Sequence, residues 1–115
     1  MSTHSTNYRK GLLAETIATA FLLLKGYTIL ERRRRGGGSL AEIDIIARRG
    51  DTIAFIEVKA RRTIADGLLA ITPHQQQRLR AAAEQYIAKF APNLNGRFDV
   101  IVVCNFLPHH FQNMF

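Results

Sequence analysis

Four charged residues in the middle of the chain stand at spacings that permit chemistry: Glu42 and Asp44 in "AEIDIIARR", and Glu57 and Lys59 in "FIEVKARR". Both stretches alternate as strands do, and Gly50-Asp51 between them is a two-residue hairpin signal. A turn symmetrical about that pair opposes Ala47 to Ala54, Ile45 to Ile56 and Ile43 to Val58 on one wholly apolar face. Strict alternation then sets Ile46 against Phe55, Asp44 against Glu57 and Glu42 against Lys59 on the other. Directly opposed residues hold their Cβ atoms about 4.5–5.5 Å apart, and like charges there are destabilising unless something compensates. A divalent cation is one compensator, because Mg²⁺ takes carboxylate oxygens together with water and substrate phosphate. Lys59, on the same face as Glu57, can orient a water or offset charge developing on a phosphoryl group. The same residues also fit a plainer description, a surface Glu42–Lys59 ion pair beside two solvated acids. An asymmetric turn would shift the register and dissolve the opposed pair.

These strands need a frame. Residues 8–25 carry apolar side chains on nearly every side, including Leu12, Leu13, Ile17, Phe21 and Leu24, with Gly26 as a C-terminal stop. That pattern predicts a buried first helix. Its one acid, Glu15, lies among Leu12, Ala18, Thr19 and Leu22 at helical spacing and is costly there unless it pairs with an arginine or faces a metal. Residues 27–32 read as a strand, followed by the run Arg32, Arg33, Arg34, Arg35 and a flexible glycine triplet at 36–38. Thr72-Pro73-His74-Gln75 starts a second helix: Thr72 caps, Pro73 takes the first helical position and Gln75 completes a capping box. Leu79, Ala82, Ala83, Tyr86, Ile87 and Phe90 continue at helical spacing, and Gln76 and Arg80 share a face one turn apart. "RFDVIVVCN", residues 97–105, has the β-branched density of a last, buried strand. The order is helix, three strands, helix, strand: one α/β domain over residues 8–115 behind a flexible stretch at 1–7.

Composition sets outer bounds. At 115 residues the chain suits a single core. Hydrophobic residues at 47% and charged residues at 22% argue against both wholesale disorder and a membrane protein. The longest apolar run, near residues 17–24, is far short of the roughly 20 residues of a spanning helix, and no signal peptide is recognisable, so the chain is read as cytoplasmic with no membrane partner. Cys104 is the single cysteine, which excludes an internal disulfide, and its apolar strand predicts a buried, inert thiol. Sixteen Lys and Arg against nine Asp and Glu give a net charge of +7 and favour a polyanionic partner, though sign alone does not separate DNA, RNA and anionic lipid. His109-His110, His74 and His4 lack the companion spacing of a zinc site and are expected in exposed loops. The tail is apolar at Phe111, Met114 and Phe115 and packs either on the sheet or on a second copy, which leaves a homodimer open.

At this point the motifs become familiar. "AEIDIIARRGD" followed by "FIEVKARR" resembles the D…ExK core of the PD-(D/E)xK nuclease superfamily, with Asp44 as the acid and Glu57-Val58-Lys59 as the ExK. The wider pattern is similar to one branch, the YraN-like family of small uncharacterised proteins described as endonuclease-like. The likeness runs over residues 14–104: Glu15 and Ala18, then "KGYTIL", "EIDIIA", "EVK", "ITP", Gln76 and "RFDVIVV". ExK alone is a weak signal, whereas the ordered set is specific. The chain departs from the family pattern at Ala41, where Gly is usual, in a longer loop over residues 33–40, and at Gln75, where Lys is common.

The resemblance implies a mixed sheet flanked by helices, the restriction-endonuclease-like αβββαβ core. It implies Mg²⁺ or Mn²⁺ held by Asp44, Glu57 and the Val58 carbonyl, with Glu15 brought to the site, Lys59 positioning the attacking water and Gln76 facing the site. Around it, Arg32, Arg33, Arg34, Arg35, Arg61 and Arg62 suit phosphate contact, and Arg80 suits either phosphate or solvent. No motif for base readout is visible, so structure-directed or non-specific binding is expected. Three classes of function remain: a metal-dependent nuclease on DNA, with branched or structured sites as substrates and RNA second; a non-catalytic nucleic-acid-binding protein that keeps the fold; and an interaction module with a basic face. Loss of nucleic-acid binding on neutralising residues 32–35 separates the first two from the third.

Overall fold

A computed structural model describes residues 3–35 and 42–115, with side chains from residue 10 onward. The glycine triplet, most of the loop compared above and Ala41 lie outside the described residues. The elements are α1 (Thr3–Leu24), β1 (Thr28–Arg35), β2 (Glu42–Arg49), β3 (Thr52–Ala60), α2 (Ile64–Leu69), α3 (Pro73–Phe90), β4 (Asn95–Cys104) and β5 (Leu107–Phe111). Five strands form one mixed sheet in spatial order β1-β2-β3-β4-β5, with β3 and β4 parallel and every other neighbouring pair antiparallel. Parallel neighbours need a long crossover, and α2 with α3 supplies it. The expected αβββαβ order is present, with α2 and β5 added.

Each face of the sheet has its own core. Against α1, Ala14, Ala18 and Leu22 repeat every fourth residue and pack on Ile45, Ala47, Ala54, Ile56, Ile101 and Val103. Against α3, Leu79, Ala82, Ala83 and Tyr86 pack on Ile43, Ile46, Ile53 and Phe55. A strand covered on both sides has no polar face to keep, which is why Ile53 to Glu57 is buried without a break. Leu22, Ile45 and Ile56 are fully enclosed, and burial of each such side chain contributes roughly 1.5–3 kcal/mol.

Helix α1 differs from its expected form in two ways. It starts at Thr3 rather than near Tyr8, because its first turns have no apolar face to announce them. It is also buried along one stripe only, with Leu13, Leu23 and Leu24 exposed. Its end is as the sequence indicates: Gly26 takes φ 90°, and the N–H groups of Gly26 and Tyr27 return to the carbonyls of Leu23 and Leu22.

The C-terminal residues pack on the sheet of their own chain as β5, and they correct the expectation of loop histidines. His110 is 2% exposed at its side chain, and its Nε2 lies 2.8 Å from Asp99 Oδ2. Arg97 donates to both Asp99 oxygens at 2.8 Å and to the Tyr27 hydroxyl at 2.6 Å. The Asn113 N–H closes the group on Asp99 Oδ1 at 3.0 Å. Burial works to raise the Asp99 pKa, but the hydrogen bonds from His110 and Arg97 outweigh it and bring the carboxyl down to about 2. Cys104, expected to be buried, is only half-buried at the end of β4. No helix among the described residues is long and apolar enough to cross a membrane.

Candidate active site

The β2–β3 hairpin has the symmetrical register, from Arg49 opposite Thr52 to Ile45 opposite Ile56. Beyond that pair a side chain makes the link: the Val58 N–H donates to Asp44 Oδ2 at 2.8 Å. The face assignment changes at the same level. Ile43 was expected beside Ile45 over Val58, yet it packs with Ile46 in the core under α3. On β1, Arg32 is opposite Ile45 and Arg34 opposite Ile43, and Arg33 between them has φ 54°. This left-handed residue breaks the alternation. Arg32 and Arg33 turn toward Glu15 of α1, whereas Arg34 lies over the rings of Tyr86 and Phe90 of α3 at 5.6 and 5.1 Å.

Where the hairpin and the start of α3 meet, a cavity of about 560 Å³ is lined by Glu15, Glu42, Asp44, Glu57 and Lys59, with His74, Gln75 and Arg78 across from them. Thr72 places the helix by accepting the Gln75 N–H on its hydroxyl at 3.1 Å. The Gln75 side chain does not complete the expected capping box. Its Nε2 donates instead to Glu57 Oε2 at 2.9 Å.

Glu57 is 5% exposed. Burial, a hydrogen bond with the Asp44 carboxyl and the Asp44 charge push its pKa up to about 9, against the pull of Lys59 and with a further push from Glu15. The Glu57 carboxyl is therefore held protonated at neutral pH beside Asp44. Because the strand pairing ends at Ile45 and Ile56, the two acids come together through the Asp44–Val58 bond rather than as the directly opposed pair the register predicts. Among the described residues no three His, Cys, Asp or Glu side chains form a metal cage by themselves. Asp44 and Glu57 are two hard oxygen donors, and Mg²⁺ typically completes such a set with water and phosphate.

The other sequence candidates are distributed as follows. Glu15 reaches the cavity and has an arginine partner, Arg33 Nε at 3.0 Å, with Arg32 at 4.0 Å. Gln76 does not face the site: its Nε2 lies 3.5 Å from the Ile71 carbonyl, and Gln75, one position earlier, takes the place beside Glu57. Arg80 sits over the Phe98 ring at 5.3 Å, while Arg78 lines the cavity. The arginine run is divided by the sheet, Arg34 bonding Glu31 at 3.1 Å and Arg35 lying 3.9 Å from Glu42. Arg61 and Arg62 follow Lys59 beyond the end of β3, with Arg61 donating to the Ala60 carbonyl at 2.8 Å. Sequence reasoning missed His74 and Arg78 as cavity residues, and it marked Gln75 only as a departure from the family's usual Lys. The signal for them was the Thr72 cap, since a helix that starts beside the site directs its first turn into it.

The model of the uncharacterised protein family UPF0102 matches residues 14–103. A UPF0102 protein of Rhizobium etli strain CIAT 652 is 44% identical over 110 residues, covering 93% of this chain and 88% of that protein. One from Mesorhizobium japonicum is 43% identical over 111 residues, covering 94% and 87%. One from Paramagnetospirillum magneticum is 42% identical over 116 residues, covering 96% and 89%.

Proposed function

The chain belongs to the UPF0102 family, the YraN family, and we propose that it is a metal-dependent nuclease that hydrolyses phosphodiester bonds in DNA, acting in the cytoplasm. The observation that carries this reading is the pairing of buried Glu57 with Asp44, two carboxyl groups held together at the mouth of a cavity whose wall includes Lys59. Such a pair costs stability and is poorly suited to a purely structural role. It suits a hard divalent cation, and Asp44, Glu57 and the Val58 carbonyl are the groups that would hold Mg²⁺ or Mn²⁺. When bound, the metal supplies a Lewis acid that neutralises charge on the scissile phosphate and lowers the pKa of water.

The side chains divide the remaining work. Lys59 orients the attacking water and offsets charge on the phosphoryl oxygens. Gln75 fixes the Glu57 carboxyl through its 2.9 Å hydrogen bond. Val58 and Asp44 lock the two strand ends together through main chain and side chain. Glu15, engaged by Arg33, is a positioning residue whose charge acts on Glu57. Arg78, Arg61 and Arg62 attract the phosphates on either side of the cleaved bond.

A second reading, a DNA-binding protein without turnover, is favoured by one observation: the group bonded to Glu57 from α3 is the neutral amide of Gln75. Calorimetry with Mg²⁺ and Mn²⁺, run beside cleavage of duplex, single-stranded and branched DNA, separates the two for wild type and Asp44→Ala. Metal-dependent cleavage lost in Asp44→Ala supports the nuclease. Equal metal affinity in both proteins with cleavage by neither removes the metal site, and DNA binding that persists then supports the second reading.

A further inference from the structure

We propose that a second cavity, beside the carboxylate site, receives one unpaired nucleotide with its base against Phe106, so that the substrate is DNA with a single-stranded segment next to the cleaved bond. This deepens the nuclease reading and rests on it for the cleavage step, though not for binding.

The cavity measures about 570 Å³ and shares Ala14 and Ala60 with the carboxylate cavity. A volume of this size falls within the roughly 300–1,000 Å³ of ligand clefts. Leu13, Ile17 and Phe106 give it an apolar wall, and Lys10, Arg61 and Arg62 give it three cations, with no acidic side chain among the described residues that line it. That combination matches a nucleotide, which has one flat apolar body and one anionic group. An apolar peptide or a lipid tail would leave the three cations unused.

Phe106 is the unusual member. It stands at the β4–β5 turn, 68% exposed, with φ 67° after Asn105 at φ 51°. Turns with both central residues left-handed strongly prefer Asn-Gly, and a bulky side chain in that conformation is a true outlier. The chain therefore accepts backbone strain to hold a phenyl ring in the open beside a basic cavity, and stored strain of this kind clusters at ligand clamps. An aromatic face beside cations binds unpaired bases of any identity by stacking. Bases inside a duplex are excluded, because both of their faces are already stacked.

Fluorescence anisotropy in EDTA tests this apart from catalysis, with a labelled blunt duplex and the same duplex bearing a single-stranded flap. Wild type is expected to bind the flapped duplex about tenfold more tightly. Phe106→Gly relieves the left-handed strain and is expected to raise thermal stability, yet to lose the tenfold preference with blunt-duplex affinity unchanged. A Phe106 that serves only the turn predicts that the preference stays intact in Phe106→Gly, whichever way stability moves, and that result overturns the proposal. Equal wild-type affinity for both DNAs also overturns it, as does a concentration-dependent dimer that Phe106→Gly abolishes, which assigns the cavity to a second copy. A flap preference without cleavage in Mg²⁺ sinks the nuclease reading and leaves the binding of an unpaired nucleotide standing. Cleavage of both DNAs at rates indifferent to Phe106→Gly sinks this inference alone.

Discussion

The Asp44 carboxylate accepts the Val58 N–H at 2.8 Å and so fastens the end of β2 to the residue between Glu57 and Lys59. One side chain thereby has two tasks, a structural one on Oδ2 and, in the proposed reading, metal binding. Two substitutions part them. Asp44→Asn keeps an acceptor for Val58 and should change stability by less than about 1 kcal/mol. Asp44→Ala leaves that N–H without its partner and should cost about 1–3 kcal/mol. Both should abolish metal-dependent cleavage. Urea unfolding and a cleavage assay read the two effects, and an Asn variant that cleaves at the wild-type rate would remove Asp44 as a ligand.

Glu57 is expected to be a residue the fold tolerates for function's sake. Its pKa rises from 4.5 to about 9 on folding. A folded pKa above the unfolded one means that its favourable contribution is present below the unfolded value and is lost as pH rises through the folded one. At neutral pH the native state must hold a proton that the unfolded chain gives up. Glu57→Gln is neutral in both states, so it should stabilise the apoprotein at pH 7 by on the order of 1–3 kcal/mol while eliminating cleavage. Thermal unfolding at pH 5, 7 and 9 checks the sign: the gain over wild type should grow with pH. A variant less stable than wild type at pH 9 contradicts the crowded-carboxyl account.

The turn half of the hairpin was legible because Gly50-Asp51 and the alternating apolar residues favour a symmetrical register, and the pairing from Arg49–Thr52 to Ile45–Ile56 is the one the sequence implies. The change of face at Ile43, by contrast, has no sequence signal. The elements that were not legible have physical reasons. Helix α2 has a glycine at its centre, which reads as a breaker, yet Gly67 packs so closely on Val102 that a Cβ there would overlap the valine methyls. Strand β5 contains Pro108 and two histidines, poor strand formers that an edge position accepts. Within the site, one-residue phase decides Gln75 against Gln76, and only the docking of α3 on the sheet sets that phase. The partner of Glu15 was open between a metal and an arginine because the left-handed turn at Arg33 that delivers it has no sequence signal.

The arginines should fall into two energetic groups. Arg34 bonds Glu31 and covers two aromatic rings, so Arg34→Ala should cost about 1 kcal/mol of stability and leave the salt dependence of DNA binding unchanged. Arg61 and Arg62 line the second cavity and directly follow Ala60, which borders both. Replacing both arginines by Ala should weaken DNA binding and reduce the slope of log K against log salt by about 1–2. Anisotropy titrations between low and physiological salt provide the slopes. An unchanged slope for the double variant would place the phosphates elsewhere.

Asp99 should govern the acid limb of stability. Its folded pKa, about 2, lies below the unfolded 3.8, so its contribution is complete above pH 4 and is lost as pH falls toward 2. The size is on the order of 2 kcal/mol, from nearly two pKa units at about 1.4 kcal/mol each. Asp99→Asn leaves the half-buried Arg97 without its anionic partner and should cost about 3 kcal/mol or more at pH 7. The difference between wild type and Asp99→Asn should shrink as pH falls from 4 to 2, which cancels the carboxyls common to both proteins, including Glu57 with its opposite sign. Urea midpoints at pH 6, 4, 3 and 2 measure it. A difference that stays constant over that range would mean that Arg97 and His110 do not hold Asp99 ionised, and the attachment of β5 would then rest on its backbone ladder with β4 and on packing.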